Sequence, residues 1–304
     1  MIKRLLLAAL LGLFLSMPLF AAKPFVIAVA DPLAKELACD CIAGFAQRNY
    51  RALATHLKQT GNPAFADIEL IIAGSLPAAI RKSSQQRVDM VIGIDSVVRA
   101  ELQKAKMPAT AIAWLTNKQG EITFTGLVVV AADDPAKSIA DLKQHRILLG
   151  PPEYDERYAA AIKLFAKHGI TVHDSASASE GTNIVPRCSE AAFTILENES
   201  PQPIAAVISD YNLLLLEGCK TIETGALRVL GKTEPVPFIS VFVTETADPR
   251  TTATLSQALR VLAPRDARLL AALESKEGFV PYRKEARNGW EVFPVTKDEG
   301  DSKN

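Results

Sequence analysis

Short apolar runs alternate along the chain with amphipathic stretches. Phe25 to Val29 (FVIAV) is apolar at every position and stops at Asp31-Pro32, the pattern of a strand covered on both faces. Residues 42–57 place Ile42, Phe45, Ala46, Tyr50, Leu53 and Leu57 at helical spacing, and Gly61-Asn62-Pro63 ends that helix. IELII (68–72) and MVIGI (90–94) repeat the strand signal. Between them 76–87 reads as a helix, and Asp95-Ser96 stands where an N-cap belongs, ahead of a helix over 97–104. This β-α-β-α order predicts a largely parallel sheet covered by helices.

The same order returns after Gly126. Strands are expected at 127–131, 146–149, 170–172, 204–208 and 227–230. Helices are expected through Ile139 and Leu142 and over 154–168, 188–196 and 211–216. A strand over 238–243 and helices over 251–262 and 267–273 close the pattern. Two strand-like crossings, near 124–127 and 234–238, join the halves. A chain that leaves one lobe, builds a second and returns makes two lobes with a cleft between them. The expected divisions are 23–125 for the first part of lobe 1, 126–233 for lobe 2 and 234–296 for the return to lobe 1. Residues 297–304 are polar and expected to be a disordered tail.

Charge and composition narrow the function classes. The 304 residues carry 34 Lys and Arg against 34 Asp and Glu, which lacks the basic excess of a general nucleic-acid binder. With 48% hydrophobic residues the chain can bury a core and is not of disordered composition. At the N-terminus, Lys3 and Arg4 precede an apolar run from Leu5 to Leu15, then Pro18, Ala21 and Ala22. The run is short of the ~20 residues a membrane span needs, and small residues follow it. Residues 1–22 are therefore expected to be an export signal, and the protein to be periplasmic or otherwise extracytoplasmic, meeting a membrane only through a partner.

Four segments then occur in a telling order. They are DMVIGIDSVVRA (89–100), TGLVVVAADDPAKSIADLKQHRILLGPPE (125–153), AAVISDY (205–211) and TEPVPFISVFV (233–243). In that order they resemble the phosphonate-binding subfamily of ABC-transporter solute-binding proteins. The resemblance implies an α/β fold of the two-lobed type II periplasmic-binding architecture, each lobe a mostly parallel sheet with flanking helices. It implies a small polar solute, phosphate-like or phosphonate-like, held in the cleft without chemistry, and an ABC permease as partner. Some relatives on this scaffold resemble helpers of periplasmic quinoprotein dehydrogenases, so an accessory protein with a dehydrogenase partner is the alternative. No cofactor is expected, and a monomer is.

In open α/β sheets ligands collect beyond the carboxyl ends of the strands, where helix N-termini present unpaired N–H groups. Four junctions of that kind supply the candidate ligand residues: Ser75; Asp95 and Ser96; Glu153, Tyr154 and Asp155; Asp210 and Tyr211. Each has a plain alternative. Ser75, Asp95, Ser96 and Asp210 can cap helices, and Tyr154 and Tyr211 can be packing aromatics. One departure from the family stands out. Its anion-binding loop carries adjacent Ser or Thr residues, whereas this loop reads Gly150-Pro151-Pro152-Glu153-Tyr154-Asp155-Glu156. Carboxylates beside a phosphonate dianion repel it, so either they point away or the ligand is not a phosphonate.

Cys39-Asp40-Cys41 and Cys188 are the remaining candidate chemistry. They are candidates for a soft-metal thiolate site, Cys188 with a thiol pKa lowered by a helix N-terminus. The alternative is disulfide pairing in an oxidising compartment, with the connectivity of the four cysteines open. His56, His145, His168 and His173 have no metal-ligand spacing, and His56, His145 and His168 read as polar helix-face or turn residues. Trp114 and Trp290 read as packing residues. Hydrolase, zincin, P-loop and dinucleotide motifs are absent from the sequence.

Overall fold

A computed structural model describes residues 23–37, 47–172 and 182–283. The expected export signal, the polar tail, Cys39, Cys41, His173 and Trp290 lie outside the described residues.

Lobe 1 begins with β1 (Phe25–Ala30), α1 (Tyr50–Gln59), β2 (Ile68–Ile72), α2 (Leu76–Lys82), β3 (Met90–Ile94), α3 (Asp95–Lys104) and β4 (Ala109–Leu115). The chain crosses through β5 (Thr123–Phe124). Lobe 2 holds β6 (Gly126–Ala131), β7 (Arg146–Leu148), α4 (Ala159–Lys167), α5 (Cys188–Leu196), β8 (Ile204–Ser209), α6 (Asp210–Gly218) and β9 (Leu227–Lys232). The return runs through β10 (Val236–Pro237) into β11 (Ile239–Thr244), α7 (Pro249–Arg265), α8 (Ala267–Ala272) and β12 (Phe279–Pro281).

The lobe 1 sheet has the order β12-β4-β11-β3-β1-β2 and the lobe 2 sheet β7-β8-β6-β9. Both are mixed rather than mostly parallel. β1 is parallel to β2 and β3, but β11 runs antiparallel to β3 and β4. β7 and β8 are parallel, while β6 is antiparallel to β8 and β9. The reason is the crossing. β11 arrives from the other lobe and enters the middle of the sheet from the hinge end.

β1 shows why these strands read as continuous apolar runs. Ile27 and Val29 pack with α1 residues Leu53 and Leu57 on one face; Val26 and Ala28 pack with α2 and α3 residues Leu76 and Val98 on the other. α1 turns Tyr50, Leu53, Ala54 and Leu57 inward, and Asn49 caps it by accepting from the N–H groups of Arg51 and Ala52.

Four expectations move. The helix expected over 42–57 starts at Tyr50, residues 47–49 being non-helical. The helix expected over 154–168 starts at Ala159, because 151–158 wind into turns that close with Gly150 N–H donating to the Arg157 carbonyl. The strand expected over 170–172 is not formed, although Ile170 is buried in the lobe 2 core. The helix over 76–87 stops at Lys82, and a turn follows in which Gln86 has φ 51°. β4, with buried Trp114 against Tyr282 at 4.6 Å, carries too little alternation for its sequence to announce a strand.

Candidate ligand-binding cleft

The lobes meet along the strand ends and at the crossings. Tyr154, Tyr211 and Leu215 of lobe 2 pack against the core cluster of lobe 1. Ser96 Oγ accepts from Asp155 N–H across the seam at 3.4 Å. At the hinge, β5 pairs with β10, and Thr125 donates to Asp210 Oδ2 from its N–H at 2.9 Å and its hydroxyl at 3.0 Å.

The eight nominated residues divide. Ser75 caps α2 by accepting from Ala78 N–H. Asp95 is buried within lobe 1: Arg99 reaches both its oxygens, at 2.6 and 3.1 Å, and Ser240 donates to Oδ2 at 2.5 Å. Ser96 and Asp155 face each other across the seam. Glu153 is exposed; it lies near Glu101, whose carboxyl is raised by burial, lowered by the Leu76 N–H bond and raised further by Glu153. Tyr154 stacks under the Arg157 guanidinium at 4.2 Å. Asp210 and Tyr211 open α6 beside the hinge.

The carboxylate that turns inward from the loop is Glu156. It is 0% exposed, and Arg157 beside it is 3% exposed. Ser209, the last residue of β8, donates to Glu156 Oε1 at 2.6 Å, and Arg157 Nε lies 3.4 Å from the same oxygen. Glu156 Oε2 and Arg157 Nε are buried without a hydrogen-bond partner. Burial pushes the Glu156 carboxyl above its ordinary range, against the opposing pull of Arg157 and Ser209. Two glycines make room for this pair. A Cβ on Gly150 would stand 2.7 Å from Arg157 Cβ, and one on Gly126 would stand 2.2 Å from the Glu156 carbonyl oxygen. Sequence reasoning passed over Arg157, because spacing does not say which residues of an irregular turn face inward; Ser209 stood in the strand-to-helix junction Ser209-Asp210-Tyr211 without being nominated as a ligand residue.

Cys188 opens α5 with its Sγ 4.0 Å from Ser209 Oγ. Its thiol is a free, buried one, and burial raises its pKa despite nearby Arg157. The expected lowering by the helix N-terminus is therefore overturned, since desolvation of a thiolate outweighs the dipole. Among the described residues no group of three or more His, Cys, Asp or Glu side chains is placed to hold a metal. Cys219, at the end of α6, is disulfide-bonded.

A cavity of about 240 Å³ lies between the lobes at the hinge. Phe124 and Phe238 line it from the crossings, with ring centroids 4.5 Å apart, and Tyr211 stacks on Phe238 at 5.3 Å. Leu33 and Leu215 extend the apolar wall. Arg48 reaches it from lobe 1 with its guanidinium 5.3 Å above the Phe238 ring. Its charge is matched by Asp31 at 2.9 Å, which also accepts from Tyr50 at 2.5 Å. Of the nominated residues, Asp210 and Tyr211 line this cavity. Aromatic residues at both crossings were the signal available in the sequence for the rest of it.

Two mixed α/β lobes joined by paired crossing strands, with a cavity at the junction, define a periplasmic-type substrate-binding protein. Residues 46–286 match the family described as ABC transporter, phosphonate, periplasmic substrate-binding protein, and the chain belongs to that family. Solved structures agree on the fold. XAC2383 from Xanthomonas citri, bound to ATP, superposes with a TM-score of 0.61 at 17% identity over 88% of this chain and 94% of that one. PhnD1 from Prochlorococcus marinus, in complex with methylphosphonate, gives 0.61 at 11% identity over 88% and 96%. A binding protein component of an ABC phosphonate transporter from Pseudomonas aeruginosa gives 0.59 at 13% identity over 86% and 83%. No curated protein sequence matches the chain. No helix of the described residues is long and apolar enough to cross a membrane. The dehydrogenase-helper alternative finds no support in these comparisons.

Proposed function

We propose that the protein is the exported solute receptor of an ABC permease and that its solute is not a bare phosphonate or phosphate dianion. Family membership and the lobe-and-hinge architecture support the first part. The observation that carries the second is Glu156. It occupies the inner side of the loop where the family's hydroxyls meet an anion, and it accepts from Ser209 as an anionic ligand would.

Like charges 4 Å apart repel by about 4 kcal/mol at an effective dielectric of about 20. That exceeds the ~1.5–3 kcal/mol of one charge-assisted hydrogen bond. Glu153 is exposed and Asp155 sits at the seam, so Glu156 is the group in question; Arg157 beside it and the burial that favours its protonated form offset part of this repulsion, and its hold on the Ser209 hydroxyl takes from an anion the donor it would use. Calorimetric titration of methylphosphonate and of inorganic phosphate into the protein and into Glu156→Gln tests it. Weak or undetectable binding that strengthens in the variant is expected. Submicromolar binding by the unaltered protein, unchanged by the substitution, would refute the reading.

A further inference from the structure

We propose that Cys219 is bonded to Cys39 or Cys41, and that this disulfide is a third, covalent tie between the lobes that limits their opening. The inference rests on the two-lobe architecture and is independent of the solute and of Glu156. The chain has four cysteines. Cys219 is disulfide-bonded, and Cys188 is a free, buried thiol. Within one chain that leaves Cys39 and Cys41 as partners for Cys219. Cys219 belongs to lobe 2, whereas residues 38–46 leave lobe 1 and return to it, so either pairing joins the lobes.

The described residues on both sides fit such a bond. In lobe 1, Arg48 N–H donates to the Leu33 carbonyl at 2.8 Å and Lys35 N–H to the Arg48 carbonyl at 2.9 Å, which holds the two ends of the intervening segment together. Leu33 and Arg48 line the hinge cavity together with Leu214 and Leu215 of α6. The segment therefore starts from a wall that α6 shares. In lobe 2, Leu215 packs on the lobe 1 core. Cys219 follows Leu215 by one helical turn, and its N–H donates to the Leu215 carbonyl at 2.9 Å. The face of α6 that carries Cys219 is thus the face turned to lobe 1. Cys41 stands four residues beyond Leu37, a reach of up to about 14 Å.

The position of the tie gives it leverage. Two crossings alone let one lobe rotate about the line through them. Asp210, at the start of α6, is fastened to the hinge by Thr125. The 9 residues of the helix carry Cys219 about 13 Å away from that point. A covalent bond there restrains rotation that the crossings permit, and it holds the solute-free protein near the apposed arrangement.

The pairing is read by mass spectrometry of the full protein, purified from the periplasm without reductant and digested with trypsin and Glu-C, which together separate Cys188 from Cys219. A peptide holding Cys219 should be linked to the one holding Cys39 and Cys41, with Cys188 recovered as a thiol. A Cys39–Cys41 bridge with Cys219 reduced, a Cys188–Cys219 bridge, or four free thiols would each overturn the proposal. The restraint is read separately. Dithiothreitol gives up two electrons and two protons as it closes to its own disulfide, and converts the bridge to two thiols. The radius of gyration of the solute-free protein, from small-angle scattering, should then increase, and amide exchange over 210–218 should quicken while exchange in β1 stays as it was. Cys219→Ser in lobe 2, and Cys39→Ser with Cys41→Ser in lobe 1, should each reproduce both changes. Local damage would not give the same result from opposite lobes, and if a variant fails to fold, reduction of the assembled protein still supplies the reading. A bridge whose reduction alters neither the radius nor the exchange would show that it restrains nothing.

Discussion

Glu156 and Arg157 form a buried pair whose oxygens and nitrogens are incompletely hydrogen-bonded. Such a pair adds little net stability, but breaking it leaves one charge stranded. Arg157→Met is expected to lower the unfolding free energy by about 3–5 kcal/mol in urea titrations at neutral pH. The Glu156 carboxyl is raised by burial, so the folded state holds its proton more tightly than the unfolded state. The resulting stabilisation is fully present below the unfolded pKa of about 4.3 and is lost as pH rises through the folded value. Urea titrations across the weakly acidic range should show that slope in the unaltered protein, and Glu156→Gln should remove it. An unchanged slope in the variant would assign it to another group. Three carboxylates were visible in this loop, and the sequence argument chose Glu153 and Asp155. The turn geometry put Glu156 inside instead.

Elements were more legible than side chains. Asn49 before α1, Ser75 before α2 and Asp248 before α7 each accept from the first-turn N–H groups of their helix. Asn49→Ala should cost about 1 kcal/mol, read as a lower thermal midpoint. The crossings are tighter. Gly126 donates to Thr233 Oγ1 at 2.7 Å while its carbonyl accepts from Thr233 N–H at 2.8 Å, which ties the outgoing strand to the returning one. Its missing Cβ points at the Glu156 carbonyl and at Val207. Gly126→Ala should therefore destabilise by about 1–3 kcal/mol, by displacing the 151–158 turn against the hinge. Backbone amide exchange in 154–158 should rise more than exchange in β1. Equal protection in both segments would show that the turn absorbs the methyl group without moving.

At the scale of the molecule, polar contacts across the seam are sparse beside the aromatic packing. The Ser96–Asp155 hydrogen bond is long at 3.4 Å, whereas Tyr211 lies flat on Phe238. Ser96→Ala should leave stability within about 0.5 kcal/mol, as an exchangeable half-buried contact does. Tyr211→Ala should increase the radius of gyration measured by small-angle scattering, because it removes the contact that seats α6 against the hinge. A radius unchanged by that substitution would locate the closing contacts elsewhere along the seam.

Strands β1, β3 and β8 were set by sequence alone, since a run such as FVIAVA with every position apolar is stable only with both faces covered. The two crossings and the family likeness followed from the order of such runs. Strand direction did not, because an apolar run reports burial and says nothing of the neighbour that buries it. The meeting of Phe124, Tyr211 and Phe238 depended on how two lobes close through a shared hinge, and that of Glu156 with Ser209 on how the 151–158 turn packs against the end of β8 within lobe 2. Those pairs are far apart in the chain, and local periodicity carries no record of which distant side chain will fill the same space. Only the packed tertiary structure decides that.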